Sequence, residues 1–252
     1  MSLSFSATVP VIDANVGIGH RHNRRYPYDS VDGLLQEMDR HGVNRALVYH
    51  VQGELISPTQ GNEQLASWID GNERRLIPQH VAGSDDVSLA QLLDLRAAGT
   101  LRCVRLHNTS GCRLPFARWL YNDLLTWLSD EGIPLWVSLA DTPPEEVVDT
   151  LSSYPDLPTV LVGAHYVHAS MLRPMLKALP KATLELSRYE NIRSIEKLVG
   201  TFGPDRFLYG SFFPRYAMGP MLFYLHRLEL ADGDLEQICS GNTEKILRLT
   251  RD

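Results

Sequence analysis

The chain has 252 residues, 44% of them hydrophobic and 21% charged, with a formal net charge of -6, which are the proportions of an ordinary globular protein. The negative charge argues against a general affinity for nucleic acid, which requires a positive surface, and no apolar run approaches the roughly eighteen residues needed to span a membrane. The chain does not begin with a basic segment and an apolar core, and its three cysteines lack CxxC spacing, so we expect a cytoplasmic protein.

Short β-branched or aliphatic runs recur along the chain, with amphipathic stretches between them. In chain order the eight predicted strands are VPVIDANV, NRALVYHV, RLIPQHVAG, RCVRLH, IPLWVSL, TVLVGAHYV, ATLELS and RFLYGSF. Most are almost continuously apolar, as is typical of parallel strands covered on both faces. The intervening segments carry helix signals, such as the N-cap candidates Asp141 and Thr142 before PPEEVVDTLSSY.

Eight strands alternating with helices over 252 residues match the usual size of a (β/α)8 or TIM barrel. A doubly wound open sheet is the competing α/β fold, but it normally carries a Gly-rich phosphate loop after its first strand. The segment GIGHRH has two glycines there without the GxGxxG pattern. Because no repeat or Pro/Ser-rich linker interrupts the chain, we predict a single α/β domain over residues 1–252.

In such a barrel the active site lies at the carboxyl ends of the strands, where this sequence collects histidines. Seven of its nine histidines fall at or beyond a predicted strand end: His20, His22, His50, His80, His107, His165 and His168. A single histidine at a strand end is more often a hydrogen-bonded structural residue. The clustering nevertheless favours a functional pocket.

Arginines accompany these histidines. Arg105 lies two residues before His107, which places both side chains on one face of a strand. Arg188 and Arg215 follow the seventh and eighth strands, and the first loop contains Arg21, Arg24 and Arg25. Guanidinium groups in a cleft bind a carboxylate or phosphate through paired hydrogen bonds. The expected partner is therefore a small, polar or carboxylated ligand.

Six segments resemble the amidohydrolase-2 family, which comprises metal-dependent hydrolases and decarboxylases on a distorted (β/α)8 barrel. In family order and spacing they are VIDANVGIG, CVRLHN, EGIPLWVSLAD, TVLVGAHYVH, FGPDRFLYGSFFP and GNTEKILRL. The last two together are the most specific, whereas a short piece such as VRLH is not. The resemblance covers nearly the whole chain.

In that family an HxH pair on the first strand, histidines on the fifth and sixth strands and an aspartate after the eighth hold the metal. The aspartate also takes a proton from the metal-bound water. On this sequence the resemblance places Asn15 and Gly17 at the HxH positions, Ser138 at the fifth strand, His165 at the sixth and Phe212 at the aspartate. Four of the five positions have lost ligand chemistry, since an amide or hydroxyl is a poor substitute for imidazole toward zinc. We therefore predict no metal at this place.

Three functions stay open. The first is a family member without the metal mechanism that acts as a binding or regulatory protein, or as the partner subunit of an active homologue. Its pocket would draw on a set of polar and aromatic residues: Arg105, Asn15, His50, His80, Ser138, His168, Arg188, Phe212 and Arg215. This function requires no cofactor, and a homo-oligomer is compatible with it.

The second function is hydrolysis without metal, which the resemblance implies because related lactonases are thought to work in this way. His165 or His107 would be the base and Asp13 a further acid candidate, since an unperturbed histidine titrates near pH 6.5. The third is a relocated site for a divalent metal such as zinc. It would be built from His50, His80, His107 and His165, and it requires side chains from four strands to converge.

Overall fold

The computed structural model describes residues 5–20, 25 and 30–249, and its strands form a three-stranded and a six-stranded parallel sheet. In chain order the strands are β1 (Ile12–Ile18), β2 (Arg45–His50), β3 (Leu76–Pro78), β4 (His80–Ala82), β5 (Val104–Leu106), β6 (Leu135–Ser138), β7 (Thr159–Val162), β8 (Ala182–Glu185) and β9 (Phe207–Leu208). The predicted third strand is observed as β3 and β4, which Gln79 separates. β3 pairs with β2, and β4 pairs with β5. The eight predicted strands thus occupy eight positions of a barrel.

The end of the chain closes the barrel against its start. Beyond the two-residue β9, the backbone N–H of Ala14 donates to the carbonyl of Tyr209 at 3.1 Å, and that of Gly17 donates to Phe213 at 2.7 Å. A parallel bridge joins Val16 to Phe213. Parallel order and closure confirm the predicted (β/α)8 barrel and exclude an open doubly wound sheet.

Helices surround the strands. They are α1 (Val31–His41), α2 (Val51–Leu55), α3 (Pro58–Ile69), α4 (Asp86–Ala97), α5 (Thr109–Cys112), α6 (Arg118–Glu131), α7 (Pro144–Leu151), α8 (Ala169–Ala178), α9 (Ser194–Phe202), α10 (Gly219–Leu225), α11 (Asp234–Glu236) and α12 (Asn242–Leu247). Single 3-10 turns lie at Tyr166–His168 and Pro204–Arg206, and a π-helical turn at Gln237–Gly241. Within the described parts of the chain, no helix is long and apolar enough to cross a membrane.

Local signals explain several helix boundaries. The Ser30 hydroxyl caps α1 by accepting from the backbone N–H of Gly33 at 3.1 Å. At the other end α1 is followed by Gly42, whose φ of 71° is accessible to glycine at little cost. The prediction for α7 was wrong in its cap, because α7 begins at Pro144 after Pro143, without a side-chain cap. Asp141 instead contacts Ser138 and Arg215 at the carboxyl ends of the strands.

The barrel interior has an apolar floor. Buried side chains from and beside the strands pack there into one cluster with Leu247 of α12: Ala14, Leu47, Ile77, Cys103, Trp136, Val160, Val162, Leu208 and Leu247. The indole N–H of Trp136 donates to the carbonyl of Ala14 at 3.1 Å, which ties opposite strands together. Since inward residues alternate along a strand, Arg105 lies one layer above Cys103. The polar interior of the barrel therefore begins directly above this floor.

Candidate functional site

A guanidinium group lies inside the barrel. Arg105, on β5, is fully buried, and its Nε donates to Glu54 Oε1 at 2.9 Å. Its Nη1 donates to Asn15 Oδ1 at 3.3 Å and to Gln79 Oε1 at 3.4 Å. Its central carbon is 3.9 Å from the centroid of the Tyr49 ring. Three oxygen acceptors from separate segments thus surround one cation, which stacks on an aromatic face.

Asn15 links this guanidinium to two further buried carboxyl groups. Its Nδ2 donates to Glu185 Oε2 at 3.1 Å, and its backbone N–H donates to Asp13 Oδ1 at 3.1 Å. Burial raises the pKa of Asp13 to about 7 and also raises the pKa of Glu185. Both carboxyl groups lie out of contact with solvent. The interior above the floor therefore contains the carboxyl groups of Asp13, Glu54 and Glu185 together with the guanidinium of Arg105.

The space for a side chain at residue 17 is filled. A Cβ on Gly17 would lie 3.1 Å from the Tyr49 hydroxyl and 3.0 Å from Val51 Cγ1. Contacts this short force the neighbours to move. Tyr49 therefore occupies the volume that a histidine at this position would need.

An aromatic ring follows β9 at the position that the resemblance assigns to the family's aspartate. Phe212 is 1% exposed, and its ring centroid lies 4.6 Å from the guanidinium carbon of Arg215 and 6.0 Å from that of Arg105. Ser138, at the end of β6, donates its hydroxyl to Asp141 Oδ2 at 2.7 Å. Phe212 therefore packs on arginine and Ser138 bonds to Asp141, and neither side chain is placed to coordinate a metal.

These residues do not fit a divalent metal at the place that the resemblance implies. Gly17 and Phe212 have no donor atom, and the amide of Asn15 already bonds to Arg105 and Glu185. A fixed guanidinium beside Asn15 also repels a second cation. Over residues 5–20, 25 and 30–249, no three His, Cys, Asp or Glu side chains are grouped so that they could hold a metal ion.

Cationic and aromatic side chains meet at the carboxyl ends of the last strands. The guanidinium carbon of Arg188 lies 4.2 Å from the centroid of the Tyr216 ring, beside the Arg215–Phe212 stack. Arg215 Nη2 also lies 3.5 Å from Asp141 Oδ1. His165 and His168 lie beside Arg188. We call the six residues together the mouth cluster: His165, His168, Arg188, Phe212, Arg215 and Tyr216.

The two histidines of the mouth cluster are electrostatically coupled to Arg188. The backbone N–H of His165 donates to His168 Nδ1 at 3.1 Å. Burial, followed by the charge of Arg188, lowers the pKa of His165. Burial, His165 and Arg188 together lower the pKa of His168. Both imidazoles are therefore neutral at pH 7, and each can accept a proton.

His107 lies in a different part of the barrel end. Its Nε2 shares a 2.6 Å hydrogen bond with the Tyr121 hydroxyl of α6. It lines a cleft of about 250 Å³ together with Glu54, Asp85 and Cys112. Although the sequence places His107 on the face of Arg105, the strand ends at Leu106 and the imidazole bonds to the helix layer.

The remaining predicted histidines do not join these groups. His50 Nδ1 accepts from the backbone N–H of Gln52 at 3.4 Å, and its Nε2 lies against Gly19. His80 alternates with the inward-facing Gln79 and so faces the helices, where burial lowers its pKa to about 4. The structure therefore does not gather His50, His80, His107 and His165. Of the first-loop candidates, Arg21, His22 and Arg24 lie outside the described residues.

Apart from Asp13, sequence reasoning missed the acidic side chains of the site. Glu54, Glu185 and Asp141 each hold a predicted site residue in place. For Glu185 a signal exists, because an acid that ends the apolar run ATLE faces a buried environment. Glu54 and Tyr49 carry no such local signal, since their partners lie far away in the chain.

Comparisons with known proteins agree on the fold. Residues 13–249 match the model of the amidohydrolase family. An uncharacterized TIM-barrel protein from Bordetella bronchiseptica has a TM-score of 0.78 at 16% identity, covering 95% of this chain and 99% of that chain. 5-Carboxyvanillate decarboxylase from Sphingomonas paucimobilis has a TM-score of 0.74 at 14% identity, covering 96% of this chain and 100% of that chain.

A dihydroxybenzoic acid decarboxylase from Polaromonas sp. JS666, solved with manganese and the inhibitor 2-nitroresorcinol, has a TM-score of 0.78 at 13% identity, covering 97% of this chain and 98% of that chain. No curated protein sequence matches this chain significantly. At such identities the likeness to solved structures shows the barrel fold alone. The activity has to be argued from the residues of the site.

Proposed function

Because the chain belongs to the amidohydrolase family, we propose that its barrel binds a small, flat, carboxylated ligand at the mouth cluster and does so without the family's metal. The observation that carries the proposal is the pair of stacks in which Arg188 lies on Tyr216 and Arg215 on Phe212. The two decarboxylase neighbours support the ligand class, since both are named for aromatic carboxylic acids.

The chemistry of the mouth cluster suits such a ligand. A guanidinium binds a carboxylate through two parallel hydrogen bonds, and stacking on a ring fixes its plane beforehand. Tyr216 is 38% exposed and offers a ring face to a flat ligand. Neutral His165 and His168 add hydrogen-bonding groups beside the carboxylate. The site thus binds and orients a carboxylated ring.

Calorimetric titration with benzoate, 2,6-dihydroxybenzoate and the neutral isostere benzamide tests the proposal. We expect the carboxylates to bind and benzamide not to. Arg188→Ala and Arg215→Ala should each weaken binding by roughly 10- to 100-fold, the loss of a charge-assisted hydrogen bond. Arg227→Ala is the matched control, because Arg227 stacks on Phe223 at 5.0 Å in another part of the protein. Equal binding by all three variants, or by benzamide, contradicts the proposal.

A second candidate function is metal-free hydrolysis of a lactone or ester with His165 as base. It is favoured by the lowered pKa of His165, which keeps the imidazole able to accept a proton beside Arg188. Turnover that survives a chelator, persists in His107→Gln and disappears in His165→Gln would support it. Turnover that is retained in His165→Gln rejects this assignment of the base.

A further inference from the structure

The guanidinium of Arg105 lies among the positions that in the family hold a metal, and we propose that it is the fixed cation of this barrel, supplied by the chain itself in place of a divalent metal. The proposal concerns the interior network and not ligand binding at the mouth cluster. The two share the premise that the barrel works without a metal, whereas carboxylate binding at the mouth cluster is tested separately by titration.

The contacts of Arg105 place its charge among the former ligand positions. Nη1 bonds to the amide oxygen of Asn15, which stands at the first HxH position. The guanidinium carbon stacks at 3.9 Å on Tyr49, whose hydroxyl fills the space beside Gly17, the second HxH position. The ring of Phe212, at the aspartate position, has its centroid 6.0 Å from the same carbon. The guanidinium thus lies near the side chains at two of the five positions, Asn15 and Phe212, and against the Tyr49 ring that fills the space beside a third, Gly17.

The buried charge of Glu54 requires a cation. Glu54 is buried and pairs with Arg105 at 2.9 Å. A buried carboxylate is strongly disfavoured without a compensating charge. Unlike a bound metal, a guanidinium keeps its charge at every physiological pH and does not dissociate.

The oxygen atoms around Arg105 give the proposal a distinctive consequence. Glu54 Oε1, Asn15 Oδ1 and Gln79 Oε1 all accept from the same guanidinium. Truncation of Arg105 would leave these three oxygens around a space the size of a guanidinium ion. Oxygen donors suit hard divalent cations such as Mn²⁺. The emptied position should then accept a cation from solution.

Thermal unfolding of Arg105→Ala tests this consequence. We expect a fall in Tm of roughly 6 to 20 °C, the range for breaking one buried ion pair in a chain of this size. Millimolar guanidinium or Mn²⁺ should raise the Tm of this variant and leave the wild-type Tm unchanged. Arg206→Ala is the matched control. It removes an arginine that donates to the backbone carbonyls of Ala182, Leu176 and Leu179 and lies over the Phe202 ring, and neither guanidinium nor Mn²⁺ should raise the Tm of this variant.

A comparison at constant size separates charge from packing. Arg105→Lys keeps a positive charge near Glu54 and Arg105→Met does not, so the lysine variant should have the higher Tm. Elemental analysis of the wild-type protein should find no stoichiometric metal, and a chelator should leave its Tm unchanged. The proposal is overturned if the methionine variant is as stable as the lysine variant. It is also overturned if the wild type contains one metal ion whose removal lowers its Tm. Should no Arg105 variant fold, this wild-type measurement decides alone.

Discussion

At Phe212 the backbone has a φ of +59°, in the left-handed region that non-glycine residues rarely adopt. Such a conformation costs about 1 to 3 kcal/mol and persists only where the surroundings enforce it. Here the ring is buried and closely packed, since a Cβ on Gly163 would lie 3.0 Å from Phe212 Cε1. Packing of the ring therefore offsets the strain of the backbone that carries it.

This balance predicts a large effect for Phe212→Ala. The variant keeps the strained φ and loses the packing, so we expect the free energy of unfolding to fall by about 3 to 5 kcal/mol. Phe223→Ala is the matched control. Phe223 also stacks on an arginine but is 45% exposed, and its loss should cost less than about 1 kcal/mol. Urea unfolding of both variants gives the comparison, and equal losses would show that the Phe212 ring does not offset the strain.

The histidines of the mouth cluster predict a pH dependence for anion binding. The pKa values of His165 and His168 are lowered from 6.5, so both are neutral at pH 7 and gain charge only at lower pH. Binding of benzenesulfonate, which stays ionised throughout, should therefore strengthen severalfold from pH 7 to pH 5. The double variant His165→Gln/His168→Gln should lose this dependence. Titration calorimetry at both pH values measures it, and an unchanged dependence in the double variant counts against the site.

At the residue scale, sequence reasoning located side chains better than it assigned their surroundings. Alternation along a strand and the family spacing were enough to place Asn15 on β1, Ser138 at the end of β6 and His165 shortly after β7. They were not enough to bury Arg105, because its ion-pair partner Glu54 lies 51 residues away in sequence. Whether an arginine faces solvent or a buried acid depends on such distant partners.

At the scale of elements, the first two strands show how close packing between strands restricts the residue type at one position. β1 is buried along its whole length, and its Gly17 pairs in register with Tyr49 of β2. The sequence predicted both strands, because their apolar runs are local patterns. The division of the third strand at Gln79 and the two-residue length of β9 were not predictable in the same way. Both depend on hydrogen bonds to neighbouring strands.

The close approach at Gly17 predicts that Gly17→Ala is destabilising. A Cβ there would lie 3.0 to 3.2 Å from Val51 and Tyr49 atoms, so we expect a loss of about 1 to 3 kcal/mol from overpacking. Gly200→Ala is the matched control. Gly200 lies in α9 with no atom within 4 Å of its added Cβ, so alanine should be neutral or stabilise by up to about 1 kcal/mol. Chemical denaturation measures both, and a neutral Gly17→Ala contradicts the predicted crowding.

At the scale of the whole molecule, the number and order of the strands were predictable from local patterns, whereas the charge inside the barrel was not. Strands from both ends of the chain enclose the interior, where Asp13 of β1 accepts from the backbone N–H of Ser211 at 2.9 Å. Glu185 of β8 connects to the same network through Asn15. Closure of the barrel thus removes both carboxyl groups from water, and their proton equilibria become a property of the global fold.

The stability of the whole fold should therefore fall as the pH rises through neutrality. The pKa of Asp13 is about 7 in the folded protein and 3.8 for the exposed group. Its contribution is thus complete below pH 3.8 and is lost as the pH rises through 7. From pH 5 to pH 8 we expect the free energy of unfolding to decrease by about 1 to 3 kcal/mol on account of this proton.

Asp13→Asn keeps the acceptor oxygen for Ser211 and Asn15 but carries no titrating proton. Its stability should vary less with pH, with the remaining slope due to Glu185, whose pKa is raised in the same direction. Urea unfolding at pH 5, 6.5 and 8 measures both slopes. If the slope of Asp13→Asn equals that of the wild type, the buried carboxyl of Asp13 does not control the pH dependence of this barrel.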